Sequence, residues 1–157
     1  MDYLAEIKHA GLLSRLKRLS DEILYSTRDY YKTVGLDIEP NWHLIFLLLE
    51  ENDSLTITGI SQKLRMSHPA CIKIIKQMKK KGYLTTRTDP NDSRRQLLEL
   101  TEKSIQRLPL FHKHWNAGIK TTEDLVMNCP NFIEALTQIE KLVSESSYKQ
   151  RTINNFV

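Results

Sequence analysis

Between Leu55 and Thr101 the spacing of apolar residues changes from a helical to an extended period, and each stretch predicts its own element. Ile57, Ile60 and Leu64 share one helical face with the small residue Ser61, following Thr56 and Thr58, whose hydroxyls can each cap a helix start. Arg65 and Met66 make a turn. Ser67 is placed to cap a second helix with Pro69 in its first turn, where a missing N–H costs little. Within that helix, which runs to Lys81, Cys71, Ile74, Ile75 and Met78 recur at i, i+3, i+4 and i+7 and face a core. His68, Ile72, Lys73, Lys76, Lys79 and Lys80 are left mostly outward. Gly82 is the left-handed stop, and Tyr83 to Thr88 and Gln96 to Leu100 read as strands around the turn Asp89-Pro90-Asn91-Asp92. Helix, tight turn, basic helix and two-stranded hairpin together predict a winged helix-turn-helix, in a chain that is mainly α with a small β wing.

The flanking segments predict further helices. From Asp2 to Lys32 one long helix carries Leu12, Leu16, Leu19, Ile23 and Tyr30 along a stripe, with Leu13, Leu24 and Tyr31 beside it. A helix of about 30 residues spans roughly 45 Å, longer than a small core can cover, so part of the stripe is expected to pack on another subunit. Gly35 ends it; after Glu39-Pro40-Asn41 a short helix repeats Trp42, Ile45, Phe46 and Leu49 at core spacing, and Leu55 begins a brief edge strand able to pair with the wing. Beyond the wing Thr101 caps a helix with Ile105, Leu108, His112, Trp115, Ile119 and Val126 on one side, which Pro109 is expected to kink. After Asn128-Cys129-Pro130, Asn131 and Glu134 resemble a capping box for a last helix built on Phe132, Leu136, Ile139 and Val143. From Ser144 the tail is polar and is expected to fray.

Charge sharpens the picture. The net charge of the 157-residue chain is only +4, yet from Thr56 to Leu98 there are ten Lys and Arg against two Asp, a net of +8, so the rest sums to −4. Clustered lysines usually form only a solvated face, but here they coincide with a helix-turn-helix and a wing, which favours a phosphate-binding surface. No apolar run reaches 18 residues and the charged N-terminus lacks a signal-peptide core, from which cytoplasmic residence and no membrane partner are expected. The two cysteines, Cys71 and Cys129, fit a reducing compartment.

Catalytic and metal chemistry lack their motifs. Five glycines form neither a phosphate-cradling loop nor a dinucleotide fingerprint. His112 and His114, two apart on a helix, point to different faces and cannot make the i, i+4 pair of a zinc enzyme. Cys71 faces the core, where a thiol behaves as a small hydrophobe. No enzyme, cofactor or metal is therefore expected. Ser67 and His68 can donate to phosphate or base edges, Ile72 can meet a thymine methyl and Lys73 a guanine edge, while Lys76, Lys79 and Lys80 suit phosphates. Arg87, Arg94 and Arg95 lie on or beside the wing turn.

Asp92-x-Arg94, followed after five residues by Leu100-Thr101, resembles the wing signature of MarR-type regulators. SRLKRLSDEI, GLDIEPNW, SHPACIKIIKQMKKKG and DPNDSRRQLLELTEKS extend the likeness, and together resemble the MarR-type domain sometimes fused ahead of an acetyltransferase, whose acetyl-coenzyme A loop is not found in this sequence. The resemblance implies one MarR-type domain over residues 1–157, with dimerisation helices at 1–34 and 101–148 and a DNA-binding lobe at 41–100. It implies a homodimeric transcriptional regulator on a palindromic operator of double-stranded DNA, read by Ser67, His68, Pro69, Ile72, Lys73, Lys76, Lys79, Lys80, Arg87, Asp92, Arg94 and Arg95. Arg94 would enter the minor groove, with Asp92 fixing its guanidinium and the loop. It also implies a cleft for a small lipophilic or anionic effector, for which Tyr30, Tyr31, Trp42, Phe46, Phe111 and Trp115 are candidates; rings at helical spacing more simply fill core. The alternative is a winged helix repurposed for protein contacts without DNA binding, although such a module has no electrostatic reason to keep a basic helix and a wing arginine.

Overall fold

Asp2 starts the first helix by accepting the Leu4 amide on its carboxylate at 3.2 Å, but α1 (Tyr3–Glu6) lasts a single turn. Lys8 takes φ +48° and a 3₁₀ turn (Lys8–Gly11) leads into α2 (Leu12–Thr33). The reversal brings the Leu4 carbonyl so close that a Cβ at residue 11 would lie 2.1 Å from its oxygen, a contact only glycine avoids. Asp2 also pairs with Arg18 on α2, with Nη1 to Oδ1 at 3.2 Å. One unbroken helix from Asp2 to Lys32 is thus corrected: a carboxylate cap and a tightly approached glycine interrupt it. The computed structural model describes residues 1–156, which form two compact units, Met1 to Pro109 and Leu110 onward.

In the first unit Gly35, at φ +72°, terminates α2, and a 3₁₀ turn (Pro40–Trp42) feeds α3 (His43–Glu51), whose Ile45, Phe46 and Leu49 are buried. Thr56 Oγ1 accepts the Gly59 amide at 3.0 Å and starts α4 (Ile57–Lys63); Ser67 Oγ accepts the Ala70 amide at 3.4 Å and starts α5 (His68–Lys80). Ile60 and Ser61 of α4 and Cys71, Ile74, Ile75 and Met78 of α5 are buried as these helices pack together. Each large apolar side chain so buried contributes about 1.5–3 kcal/mol.

Strand β1 (Leu84–Asp89) pairs antiparallel with β2 (Asp92–Leu100), Leu84 opposite Leu100. Leu55 bridges to Leu98, its N–H and C=O both bonded, at 3.1 and 2.8 Å. The second strand starts at Asp92, four residues before the expected Gln96, because Asp89 Oδ1 accepts the Asn91 amide at 2.9 Å and tightens the turn.

Helix α6 (Glu102–Met127) begins where Thr101 Oγ1 accepts the Ser104 amide at 3.3 Å, and it stays helical through Pro109, the last residue of the first unit. In the second unit Asn131 adopts a left-handed φ of +64° and makes no side-chain cap, so the expected capping box with Glu134 does not form: a cap needs extended backbone there. Helix α7 (Phe132–Glu145) follows. The tail expected to fray instead makes α8 (Tyr148–Asn155), because Ser147 Oγ accepts the Gln150 amide at 3.2 Å and Arg151 donates to the Ser146 and Leu142 carbonyls at 2.9 and 2.6 Å. Among the described residues no helix is long and apolar enough to cross a membrane.

Candidate nucleic-acid interface

The 3.6-residue period of α5 separates a buried seam from an exposed one. Ser67, His68, Pro69, Lys73, Lys76, Lys79 and Lys80 are all exposed and Ile72 is partly so. Ser67 Oγ accepts the cap bond, leaving its hydroxyl proton for another partner. Lys73, Lys76 and Lys80 make no hydrogen bond or ion pair among the described residues. Lys79 differs: its Nζ donates to Thr86 Oγ1 of β1 at 3.1 Å, tying helix to wing.

The wing sorts its arginines in the same way. Arg87 Nε donates to Glu99 across the hairpin, and its Nη2 reaches Ser54 Oγ at 3.4 Å. Arg95 Nε lies 3.8 Å from Asp89 Oδ2. Arg94 alone of the three has a guanidinium without a partner among the described residues. Asp92 Oδ1 accepts the Arg94 backbone amide at 3.0 Å, so Asp92 fixes the loop, whereas the expected Asp92 contact to the guanidinium is absent. The physical reason is local: two residues on, an amide is the nearest donor to an Asp carboxylate.

The far end of α5 is held by the start of α6. Gly82, at φ +77°, donates to the Lys79 carbonyl at 2.9 Å and Tyr83 N–H to that of Met78 at 3.0 Å, the paired bonds of a Schellman ending. Thr101 Oγ1 donates to the Gly82 carbonyl and Lys103 Nζ to that of Lys81, both at 2.7 Å, while the buried Ser104 Oγ donates to Tyr83 O. Carbonyls that a helix end leaves without partners are thus satisfied by side chains. Tyr83 is fully buried and its hydroxyl donates to Asp37, which also has Lys103 Nζ and Arg107 Nη1 each at 3.7 Å. Partial burial pushes the Asp37 carboxyl up, but the Tyr83 bond and the two cations outweigh it and hold it below its ordinary value. Burial, then the Asp37 contact, push the Tyr83 phenol up. Sequence reasoning missed this anchor, because every pair of its partners is at least 19 residues apart.

Of the candidate effector rings, Trp42 and Phe46 meet Tyr83 edge-on, with centroids 6.0 and 5.6 Å apart, inside the first unit's core. Tyr30 and Tyr31 contact each other, as do Phe111 and Trp115; Tyr31, Phe111 and Trp115 are buried, while Tyr30 is exposed. One cleft along α2 runs from Leu13 to Tyr25 and another is bounded by Leu49, Asp53, Glu99 and Leu108; none of the six rings lines either. Burial also pushes the Cys71 thiol up, away from reactivity. Among the described residues no group of three His, Cys, Asp or Glu could hold a metal.

Residues 36–95 match the model of the MarR family. The HTH-type transcriptional regulator SarZ of Staphylococcus epidermidis is 25% identical over 122 residues, 73% of this chain and 80% of its own length. A mutant MarR from E. coli, crystallised with operator DNA, superposes with a TM-score of 0.66 at 20% identity, covering 91% of this chain and 99% of that one. The transcriptional regulator SlyA gives a TM-score of 0.69 at 14% identity, over 87% and 96%.

Proposed function

From the match of residues 36–95 to the MarR family model we propose that the chain is a sequence-specific, non-catalytic transcriptional regulator of that family, acting in the cytoplasm as a homodimer on a palindromic operator. The observation that carries this reading is the division of charge just described: Lys73, Lys76, Lys80 and Arg94 are exposed and unpaired, on one helix face and the wing beside it. A duplex supplies the phosphates such a surface lacks, and condensed counterions released on contact drive binding. In the groove Lys73 and Ile72 read base edges while Lys76 and Lys80 hold phosphates. Arg94 enters the adjacent minor groove, where negative potential is strongest when the groove is narrow.

Two copies follow from what one copy leaves uncovered. Leu12, Leu16, Leu19 and Ile23 on α2 are 41, 46, 51 and 50% exposed, and Phe132, Leu136 and Ile139 on α7 are likewise open. A second chain covering them yields an apolar dimer interface and two reading helices spaced about 34–36 Å apart, one helical turn of DNA. A small lipophilic or anionic effector would act by favouring one spacing of the two reading helices over another. Selection of bound sites from random duplex DNA tests the proposal: an enriched palindrome is the expected result, and no enrichment above bulk DNA refutes it.

A further inference from the structure

Helices α4 and α5 end in the same way with different residues. In α5 the left-handed position after the cap is Gly82. In α4 it is Arg65, at φ +50°, whose N–H donates to the Gln62 carbonyl at 3.2 Å while Met66 N–H donates to that of Ser61 at 3.0 Å. These are the two bonds of a Schellman ending, whose left-handed position suits glycine first and asparagine next. A long β-carbon-bearing side chain is strained there, and nothing in the fold needs it: Arg65 is exposed, and its guanidinium has no partner among the described residues. Of the four arginines between residues 57 and 100, Arg87 pairs with Glu99 and Arg95 with Asp89, leaving only Arg65 and Arg94 free. Arg65 stands two residues before the Ser67 cap of α5, at the end of the helix that carries His68 and Lys73; Arg94 stands on the wing.

We propose that Arg65 is a backbone-phosphate anchor that sets the register of α5 in the major groove, a DNA contact at the turn complementing Arg94 at the wing. The inference rests on the DNA-binding reading. Because both its backbone hydrogen bonds and its φ fix the Cα, the guanidinium projects from a rigid point, and tolerating a strained conformation at an exposed position marks a role outside folding.

The test is the full-length dimer with Arg65→Asn and Arg65→Lys, titrated by anisotropy with the selected duplex from low to moderate salt. Asparagine accepts the left-handed backbone, so Arg65→Asn should melt no lower than the parent and, losing one contact in each protomer, bind about 60-fold more weakly at 0.1 M salt, with a log–log salt slope shallower by about 1.8 for the dimer. Arg65→Lys, which keeps the charge and the strain, should retain the parental slope. If the parent shows a steep slope and Arg65→Asn binds with the same affinity and slope, this inference is overturned while the DNA-binding reading stands. If the parent itself binds without salt dependence, both fall.

Discussion

The salt dependence of DNA binding can be worked from the side chains the fold leaves free. Arg65, Lys76, Lys80 and Arg94 are unpaired and are the cations proposed to meet the phosphate backbone or the narrow groove, unpaired Lys73 being assigned to a base edge, whereas Lys79, Arg87 and Arg95 are engaged with Thr86, Glu99 and Asp89. Four contacts per protomer make eight for a dimer, so log K should fall against log salt with a slope of about −7, against about −3.6 for a single lobe. Raising salt from 50 to 200 mM should then weaken the dimer by roughly 10⁴-fold and a lone lobe by only about 150-fold. Fluorescence anisotropy of a labelled selected site across that range reads the slope directly, and Lys76→Gln should lower its magnitude by about 1.8 in the dimer, one contact per protomer. A parental slope shallower than about −2, or an unchanged slope in Lys76→Gln, refutes the idea that these free cations meet phosphate.

Arg94→Ala should weaken operator binding with no change in melting temperature, and Asp92→Ala should also weaken it, although it removes a negative charge, because Asp92 holds the Arg94 amide; tighter binding by Asp92→Ala would show that it merely repels phosphate. Exchanging Lys73 for Gln should change which sites a selection enriches, whereas exchanging Lys76 should lower affinity for all sites alike; the reverse pattern would exchange their roles. Leu16→Glu, on the open face of α2, should leave the helical circular-dichroism spectrum intact while sedimentation shows a monomer that no longer binds the operator; a tightly binding monomer would exclude the dimer. Asp37→Asn should destabilise at neutral pH; because the folded Asp37 pKa lies below its unfolded value near about 3.9, its stabilisation is present above that value and lost as pH falls through the folded pKa, so parent and variant melting points should converge in acid.

The winged helix was legible because its signals are local. Cys71, Ile74, Ile75 and Met78 are buried as their spacing predicts, Thr56 and Ser67 cap the helices, and Gly82 takes the left-handed turn. Counting cations located the basic face but could not tell which were already neutralised. Arg87 meets Glu99 as a diagonal cross-strand pair and Arg95 meets Asp89 across the turn, so register decides both, and register is a tertiary outcome. Helical periodicity likewise runs unbroken through Lys8; the break there depends on the Leu4 carbonyl packing against Gly11, which no window of sequence contains as a pattern. The last helix was hidden by composition, since α8 is polar and is held by a cap and by Arg151 rather than by an apolar stripe.

If α5 reads DNA as proposed, it carries a conflict that this fold resolves by placement. No residue of α5 is acidic, and Lys73–Lys76, Lys76–Lys79 and Lys76–Lys80 are like charges at i, i+3 or i, i+4, each destabilising by about 0.2–0.5 kcal/mol. Neutralising them with nearby carboxylates would stabilise the helix and abolish its use. Instead the acids of the wing and of the helix-end anchor are engaged elsewhere: Asp89 and Glu99 with wing arginines, Asp92 with a backbone amide, Asp37 with Tyr83, Lys103 and Arg107. The repulsion is offset by the buried seam of four side chains, at about 1.5–3 kcal/mol for each large one, and by Lys79 and Lys80 lying in the last turn, where positive charge suits the helix dipole. The Thr101, Lys103 and Ser104 side chains then hold the carbonyl end of the helix, so its stability comes from one face and one end while the opposite face stays available to a duplex.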